Sequence, residues 1–330
     1  MPTYENVRLI NSILNLYYVE EVTQAGIAKR MNLSTAKVNR LLRQARELGY
    51  VNFVIRTPFQ PLFDLESRLK AVFGLQEAIV IPAVGNTSSS LMSALGTVAA
   101  DFLLEQIRDG DIVAITPGTS VQAVVESIDA TRPYQIEVVP MLGAIQGQIE
   151  SDMNYLATHM ADRLGAKSYQ LHAPAFVDTR EHGEVMRSMV PVKEILDIAR
   201  HANIALLGVG TVDPEASRFV QFTALSAEDL KHIADGCGGV GEISAHVYDI
   251  GGQACAKEYA ERVIGLTLAE IQQITYRIGV AASAAKALPI YGALRGGYLH
   301  ALITDEEAAR GVLRLFDENF RKIPLQIGEP

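Results

Sequence analysis

The chain has 330 residues, 48% of them hydrophobic, with 29 Lys or Arg against 38 Asp or Glu and a formal net charge of -9. That length allows more than one domain and a sizeable core, while no run of about 18 apolar residues offers a membrane span and MPTYENVRLINSILNLYY lacks the basic leader and cleavage site of a signal peptide. Two cysteines, Cys237 and Cys255, without CxxC spacing, and seven scattered histidines without HExxH spacing exclude a disulfide scaffold and supply no metal framework; no cofactor is called for, and a cytoplasmic setting is expected.

The charge is uneven. Residues 1–60 carry eight Lys or Arg against four Asp or Glu, whereas 61–330 carry 21 against 34. Such asymmetry assigns the basic end to a polyanion and leaves an acidic body that repels one.

Taken in chain order, residues 4–18 place Val7, Ile10, Ile13 or Leu14, and Tyr17 at helical spacing. Thr23 can cap a short helix through Met31, NLS interrupts it, and Ser34 caps a second helix ending near Leu48 and Gly49. In that second helix Val38, Leu41, Leu42, Ala45 and Leu48 form an inward stripe, leaving Lys37, Arg40, Arg43 and Gln44 outside it. Two short helices joined tightly, the second apolar on one side and basic on the other, describe a helix-turn-helix for double-stranded DNA. A helix fits the major groove and its Lys and Arg neutralise phosphates. Thr35, Ala36, Lys37, Asn39 and Arg40 are therefore the expected base or groove contacts, and Gln24 and Arg43 the expected phosphate contacts. YVNFVIRT (50–57) alternates like a strand and would form a wing.

PFQPLFDLESRLKAVFGL (58–75) opens with two prolines and then places Phe63, Leu65, Leu69 and Val72 on one helical side, as in a linker or dimerisation helix. The division expected is 1–57 for DNA, 58–76 for this connection and 77–330 for an effector and oligomerisation domain. Beyond it, strand-like runs at 77–82, 111–116, 136–142, 168–174, 203–210 and 299–305 alternate with helical patterns such as 89–108, 119–129 and 152–164. Alternation of this kind implies a Rossmann-like α/β domain, a parallel sheet covered by helices, with ligands beyond the carboxyl ends of its strands.

The chemistry-bearing turns lie at those ends. AITPGTS (114–120) joins an apolar strand to Pro-Gly and two hydroxyls at a helix start, a pattern suited to an anion such as a phosphate, or merely to a cap. GVGTVDP (208–214) is a second glycine turn without dinucleotide or Walker A spacing. DGCGGVGE (235–242) reads as a flexible loop ending in Glu242, and Asp305 either contacts a ligand or caps the helix beginning at Glu306.

Six separated blocks carry a resemblance: LYYVEEVTQAGIAKRMNLSTAKVNRLLRQARELGYV, DIVAITPGTS, VVPMLG, LLGVG, GGVGE and AAKALPIYGALRGGYLHALITDEEAARGVL. Over nearly its full length the chain resembles the SorC/DeoR-type sugar-binding transcriptional regulators. The resemblance implies an effector domain similar to the ribose-5-phosphate isomerase and glucosamine-6-phosphate deaminase fold, without enzymatic activity, that binds a small sugar, sugar phosphate or polyol. On the family's pattern the phosphate loop falls on Gly118, Thr119 and Ser120, the acidic ligand position on Glu242 and the late lysine on Lys286, with Gly143, Asp152 and Asn154 contributed by the block after the third strand. Some members place Arg or Lys after VVPM; Leu142 stands there, against a bisphosphate or imine-forming ligand. The glycine pair that some relatives carry before the lysine reads here VAASAAK, implying a more crowded pocket and a smaller ligand. The expectation is an effector-controlled, homo-oligomeric regulator of carbohydrate metabolism. The competing reading is a sugar-phosphate isomerase or deaminase with an accessory DNA-binding module, in which Glu242 or Asp305 is the general base and Lys286 a charge stabiliser.

Overall fold

The computed structural model describes residues 3–51, 57–83, 87–145, 152–214, 217 and 226–321. The chain divides into two units, Met1–Gln60 and Pro61–Pro330.

In the first unit, helix α1 (Tyr4–Leu14) runs on into a wider turn over Asn15–Val19, followed by α2 (Gln24–Met31) and α3 (Thr35–Glu47). Local chemistry sets the boundaries. The Thr23 hydroxyl accepts the Gly26 N–H at the start of α2, Asn32 ends it in the left-handed conformation (φ 51°), and the Ser34 hydroxyl accepts the Lys37 N–H at the start of α3. Ile10, Ile13, Ile27, Ala28, Val38, Leu41, Leu42 and Ala45 form the unit's core. Leu48, expected inward, is 45% exposed, because α3 ends at Glu47 and the chain turns away through Gly49 (φ 72°). The wing expected over 50–57 falls mostly on residues outside the described ones.

The second unit begins with α4 (Gln60–Phe73). Its Leu62, Leu65 and Leu69 are buried in the core of this same unit, so the apolar side read as a linker or dimer contact is occupied within the chain; Phe63 is exposed. There follow β1 (Glu77–Ile81), α5 (Ser88–Gln106), β2 (Ile112–Ile115), α6 (Thr119–Ser127), β3 (Glu137–Pro140), α7 (Met153–Leu164) and β4 (Lys167–Ser168). Next come α8 (Arg180–Ser188), α9 (Val190–Arg200), β5 (Ile204–Gly208), β6 (Gly210–Thr211), α10 (Ala227–Cys237), β7 (Gly239–Ile243) and β8 (His246–Asp249). The last elements are β9 (Tyr276–Val280), α11 (Ala287–Arg295), β10 (Ala301–Asp305) and α12 (Glu306–Arg321).

Seven strands form one parallel sheet in the order β1-β10-β9-β5-β2-β3-β4, and β6-β7-β8 form a separate antiparallel sheet. Period-2 alternation sends Ile81, Val113, Ile115, Val138, Leu206 and Ile303 to one side, under α5, α6 and α7. Val80, Ala114, Val139, Ala205, Leu207 and Leu302 go to the other, under α4, α9, α11 and α12. Both faces are covered, which is why these strands read as nearly continuous apolar runs.

Three segments differ from the sequence expectation. The run at 168–174 is a regular strand only at Lys167–Ser168 and meets the chain again through a single bridge between Pro174 and Ala144; between them the Asn154 amide holds both the N–H and the carbonyl of Leu171. The strand β9 was not foreseen. DGCGGVGE is not a flexible loop: it ends α10 and builds β7, whose glycines are dictated by close packing. A Cβ at Gly239 would stand 2.7 Å from Val247 Cγ1, and one at Gly241 2.6 Å from the Tyr248 hydroxyl oxygen.

The α5–α6 contact sets a similar demand, since a Cβ on Gly96 would lie 2.3 Å from the Ala123 carbonyl oxygen. Gly96→Ala should therefore force the two helices apart and lower unfolding stability by about 1–3 kcal/mol, read as a reduced urea midpoint at unchanged slope.

Candidate functional site

The direction of the chain changes between two adjacent central strands. After β2 it moves toward β3, and after β5 it moves the other way toward β9. At such a switch point the two outgoing turns separate and leave a crevice at the strand ends. Thr116, 1% exposed, fixes that parting: its Oγ1 accepts the Gly208 N–H at 2.8 Å, and its own N–H donates to the Leu206 carbonyl.

A cleft of about 810 Å³ opens there, within the size of pockets that hold small ligands. Its β2 side is the turn Pro117–Ser120, and its β5 side is Gly208–Thr211. Gly118 has φ 130° and ψ 152°, with nothing within 4 Å of a Cβ added there, so glycine is required by conformation rather than by space. It precedes α6 without a capping side chain, leaving first-turn N–H groups of a nine-residue helix directed at the cleft along with its dipole. Ser88 and Ser89, from the start of α5, line the same space.

Glu242 enters from β7. Its Oε2 accepts the Ala245 N–H at 3.0 Å, and its Oε1 lies against Gly210, where a Cβ would be 1.7 Å away. Burial pushes the Glu242 carboxyl above its usual range, opposed by the Ala245 N–H and by the positive charge of Lys286. Lys286 and Ser283 line the cleft from the turn after β9. Hydrogen-bond acceptors, donors and a cation thus converge in one concave space. Among the described residues no group of three or more His, Cys, Asp or Glu could hold a metal ion.

The structure thus brings together Gly118, Thr119, Ser120, Glu242 and Lys286. Asp305 stands just outside. It is 2% exposed, its Oδ1 accepts the Ser283 N–H at 2.8 Å, and it takes the Ala308 N–H at 3.4 Å as the cap reading anticipated. Gly143, Asp152 and Asn154 are not among the residues lining the cleft. Gly143 is needed where a Cβ would sit 2.4 Å from the Pro174 carbonyl oxygen, Asp152 caps α7, and Asn154 holds Leu171. Sequence reasoning missed Ser88, Ser89 and Gly210, while Ser283 lies in VAASAAK, the stretch read as crowding the pocket. The serine run that opens α5 was a visible signal; the role of Gly210 beside Glu242 depends on a strand pairing that no local pattern reveals.

In the first unit, Thr35, Ala36, Lys37, Asn39, Arg40 and Arg43 are all exposed along α3, and Gln24 is half-buried at the start of α2. The neighbouring Arg30 is paired with Glu20 at 2.9 Å.

The profile of the family described as "Putative sugar-binding domain" matches residues 57–314. The chain is 30% identical over 321 residues to the sorbitol operon regulator of Klebsiella pneumoniae, covering 95% of this chain and 100% of that protein. It is 30% identical over 318 residues to the deoxyribonucleoside regulator of Bacillus subtilis, covering 94% and 98%. The crystal structure of the full-length sorbitol operon regulator SorC from Klebsiella pneumoniae superimposes with a TM-score of 0.72 at 28% identity, covering 94% of this chain and 99% of that one. With a fold, a cleft and a full-length match in agreement, the chain belongs to the SorC/DeoR-type sugar-binding domain family.

Proposed function

We propose that the chain is a transcriptional regulator of carbohydrate metabolism whose operator binding is controlled by a small sugar, sugar phosphate or polyol. The observation that carries this reading is the convergence of the uncapped α6 turn, Lys286 and Glu242 in one cleft at the strand switch point. First-turn N–H groups and an ammonium suit a phosphate, and a buried carboxylate suits the hydroxyls of a polyol. Relatives named for sorbitol and deoxyribonucleoside regulation support the same class of effector. The Pro61–Pro330 unit is the effector and oligomerisation domain, of the ribose-5-phosphate isomerase and glucosamine-6-phosphate deaminase type. The Met1–Gln60 unit is a winged helix-turn-helix that lays α3 in the major groove of double-stranded DNA. Homo-oligomers, dimeric or tetrameric, would let it read repeated half-sites, and the effector would act by favouring one assembly over another.

The cleft binds without turnover in this reading. Asp305, the alternative general base, is buried and engaged with two backbone N–H groups. Glu242 then has no second carboxylate beside it among the residues lining the cleft other than Glu126. Incubation with aldose and ketose phosphates should yield no product; isomerised or deaminated sugar would overturn the regulator reading in favour of an enzyme.

The direct test is thermal unfolding against a panel of polyols, sugars and their monophosphates. A ligand at about a hundred times its Kd should stabilise by about 2.7 kcal/mol. Lys286→Ala should weaken phosphorylated members of the panel more than their unphosphorylated counterparts. On the DNA side, Lys37→Ala and Arg40→Ala should each lower operator affinity by about 1–3 kcal/mol where a base edge is lost. A residue that contacts only phosphate should instead lower the salt slope by about one. Unchanged operator binding by the double variant would remove α3 from the groove.

Glu242 makes a pH-dependent prediction. Burial raises its folded-state pKa above the ordinary 4.5, so the unfolded chain ionises first and wild-type stability falls as pH rises through that value. Glu242→Gln keeps an oxygen for the Ala245 N–H and removes the ionisation. Its thermal midpoint should exceed that of wild type at pH 7, and the difference should shrink as the pH falls toward 4.

A further inference from the structure

Cys237 and Cys255, the two cysteines of the chain, are not among the residues lining the cleft, yet the fold brings their sulfurs together. Cys237 is the last residue of α10. Cys255 lies on the segment that folds back along β8, where its N–H donates to the Val247 carbonyl at 2.9 Å. Between them sits Gly239, the first residue of β7. A Cβ there would stand 3.6 Å from Cys255 Sγ and 3.7 Å from Cys237 Sγ, so both sulfurs border the space that glycine leaves open. Neither is sealed in the core. Both residues are partly exposed, and Cys255 lines a cavity of about 500 Å³ with Arg187, His246 and Lys257.

The two thiols differ in their surroundings. Burial pushes the Cys255 thiol up, and the hydrogen bond and charge of the neighbouring Cys237 sulfur push it the same way, so Cys255 keeps its proton. Cys237 donates its thiol to the Ile233 carbonyl, 3.1 Å away on the last turn of its own helix. That leaves Cys237 to attack first and Cys255 to resolve.

We propose that Cys237 and Cys255 are a modification site, a thiol pair that closes reversibly to a disulfide by exchange with a low-molecular-weight disulfide such as oxidised glutathione. The bridge ties the end of α10 to the segment returning along β8 and clamps the start of β7. In the first step the Cys237 sulfur attacks the oxidant, whose S–S bond breaks; one glutathione leaves with the Cys237 proton. In the second step the Cys255 sulfur attacks the Cys237 sulfur of the mixed disulfide, and the other glutathione leaves with the Cys255 proton. Two protein thiols are oxidised to one disulfide while one disulfide is reduced to two thiols. Because β7 also carries Glu242, the clamp acts on one wall of the cleft, whatever ligand that cleft holds.

The test equilibrates the full chain, without air, in excess oxidised glutathione and then in excess dithiothreitol. Intact mass and thiol counting should show both thiols lost and two hydrogens removed, with no glutathione retained and full reversal by dithiothreitol. Closure should quicken as the pH is raised from 7 to 9, because Cys255 must lose its proton to attack. Cys255→Ser should stop with one glutathione attached at Cys237, and Cys237→Ser should stay reduced over the same time. Oxidised wild type should have a higher urea midpoint than reduced wild type, a difference absent from Cys255→Ser treated alike.

Two thiols still free, or glutathione retained on either, would overturn the bridge, as would a disulfide joining two chains, seen as a doubled mass. Faster reaction of Cys237→Ser than of Cys255→Ser would overturn the order of attack. An intramolecular disulfide that leaves the urea midpoint unchanged or lowers it would overturn the clamp.

Discussion

The parting of the chain between β2 and β5 is the constraint on which the functional architecture depends. Two neighbouring parallel strands share hydrogen bonds up to Ile115 and Leu206, and their continuations then leave in opposite directions. A buried polar group at such a fork must find partners from within the fork. Thr116 does so by accepting the Gly208 N–H, which tethers the start of one departing turn to the other. Pro117–Ser120 and Gly208–Thr211 then become opposite sides of one cleft, although about ninety residues separate them in sequence.

Once the crevice exists, close backbone approach decides which residues can line it. Gly210 pairs with Glu242 across the small antiparallel sheet, and its missing side chain is the space that Glu242 Oε1 occupies. The carboxylate is thereby pressed into a site where ionisation is costly, with the Ala245 N–H and the Lys286 charge in partial compensation. This arrangement leaves Glu242 able to accept hydrogen bonds from an incoming group, and it ties the glycine of the second turn to the acid on β7 as one unit.

Helices were legible because their periodicity and caps are local: Thr23 and Ser34 mark starts that the structure reproduces, and the pattern read over 152–164 is α7. Five of the six strand runs were legible for a related reason, since a sheet covered on both faces needs nearly continuous hydrophobicity. β9 has no local signal as plain as the others, because YRIGV sets an arginine inside a short run. Arg277 is in fact buried and donates to the carbonyls of Gln272, Ile274, Gly297 and Tyr298, anchoring two turns that no short window connects. β7 escaped because closely spaced glycines signal a loop unless the cross-strand neighbours, here Val247 and Tyr248, are known. In the cleft, Gly118, Thr119 and Ser120 announced themselves through strand-turn-helix chemistry. Gly143, Asp152 and Asn154 came only from the resemblance, and the structure gives each a local packing or hydrogen-bonding role away from the cleft lining.

The uneven charge of the chain bears on what the cleft can hold. The sequence beyond residue 60 has 34 acidic and 21 basic residues, so its mean field disfavours an approaching anion. That field is screened over about 8 Å at physiological ionic strength, whereas contacts inside a cleft are made at about 3 Å in a medium of lower polarity. Local groups therefore outweigh the net charge. In the proposed function, the α6 amides and Lys286 favour one phosphate, while the buried Glu242 rewards hydroxyl donors. Leu142, where the resemblance placed a possible further cation, is 2% exposed in the core and is not among the residues lining the cleft. The ligand proposed for the cleft is accordingly a polyhydroxy compound bearing at most one phosphate.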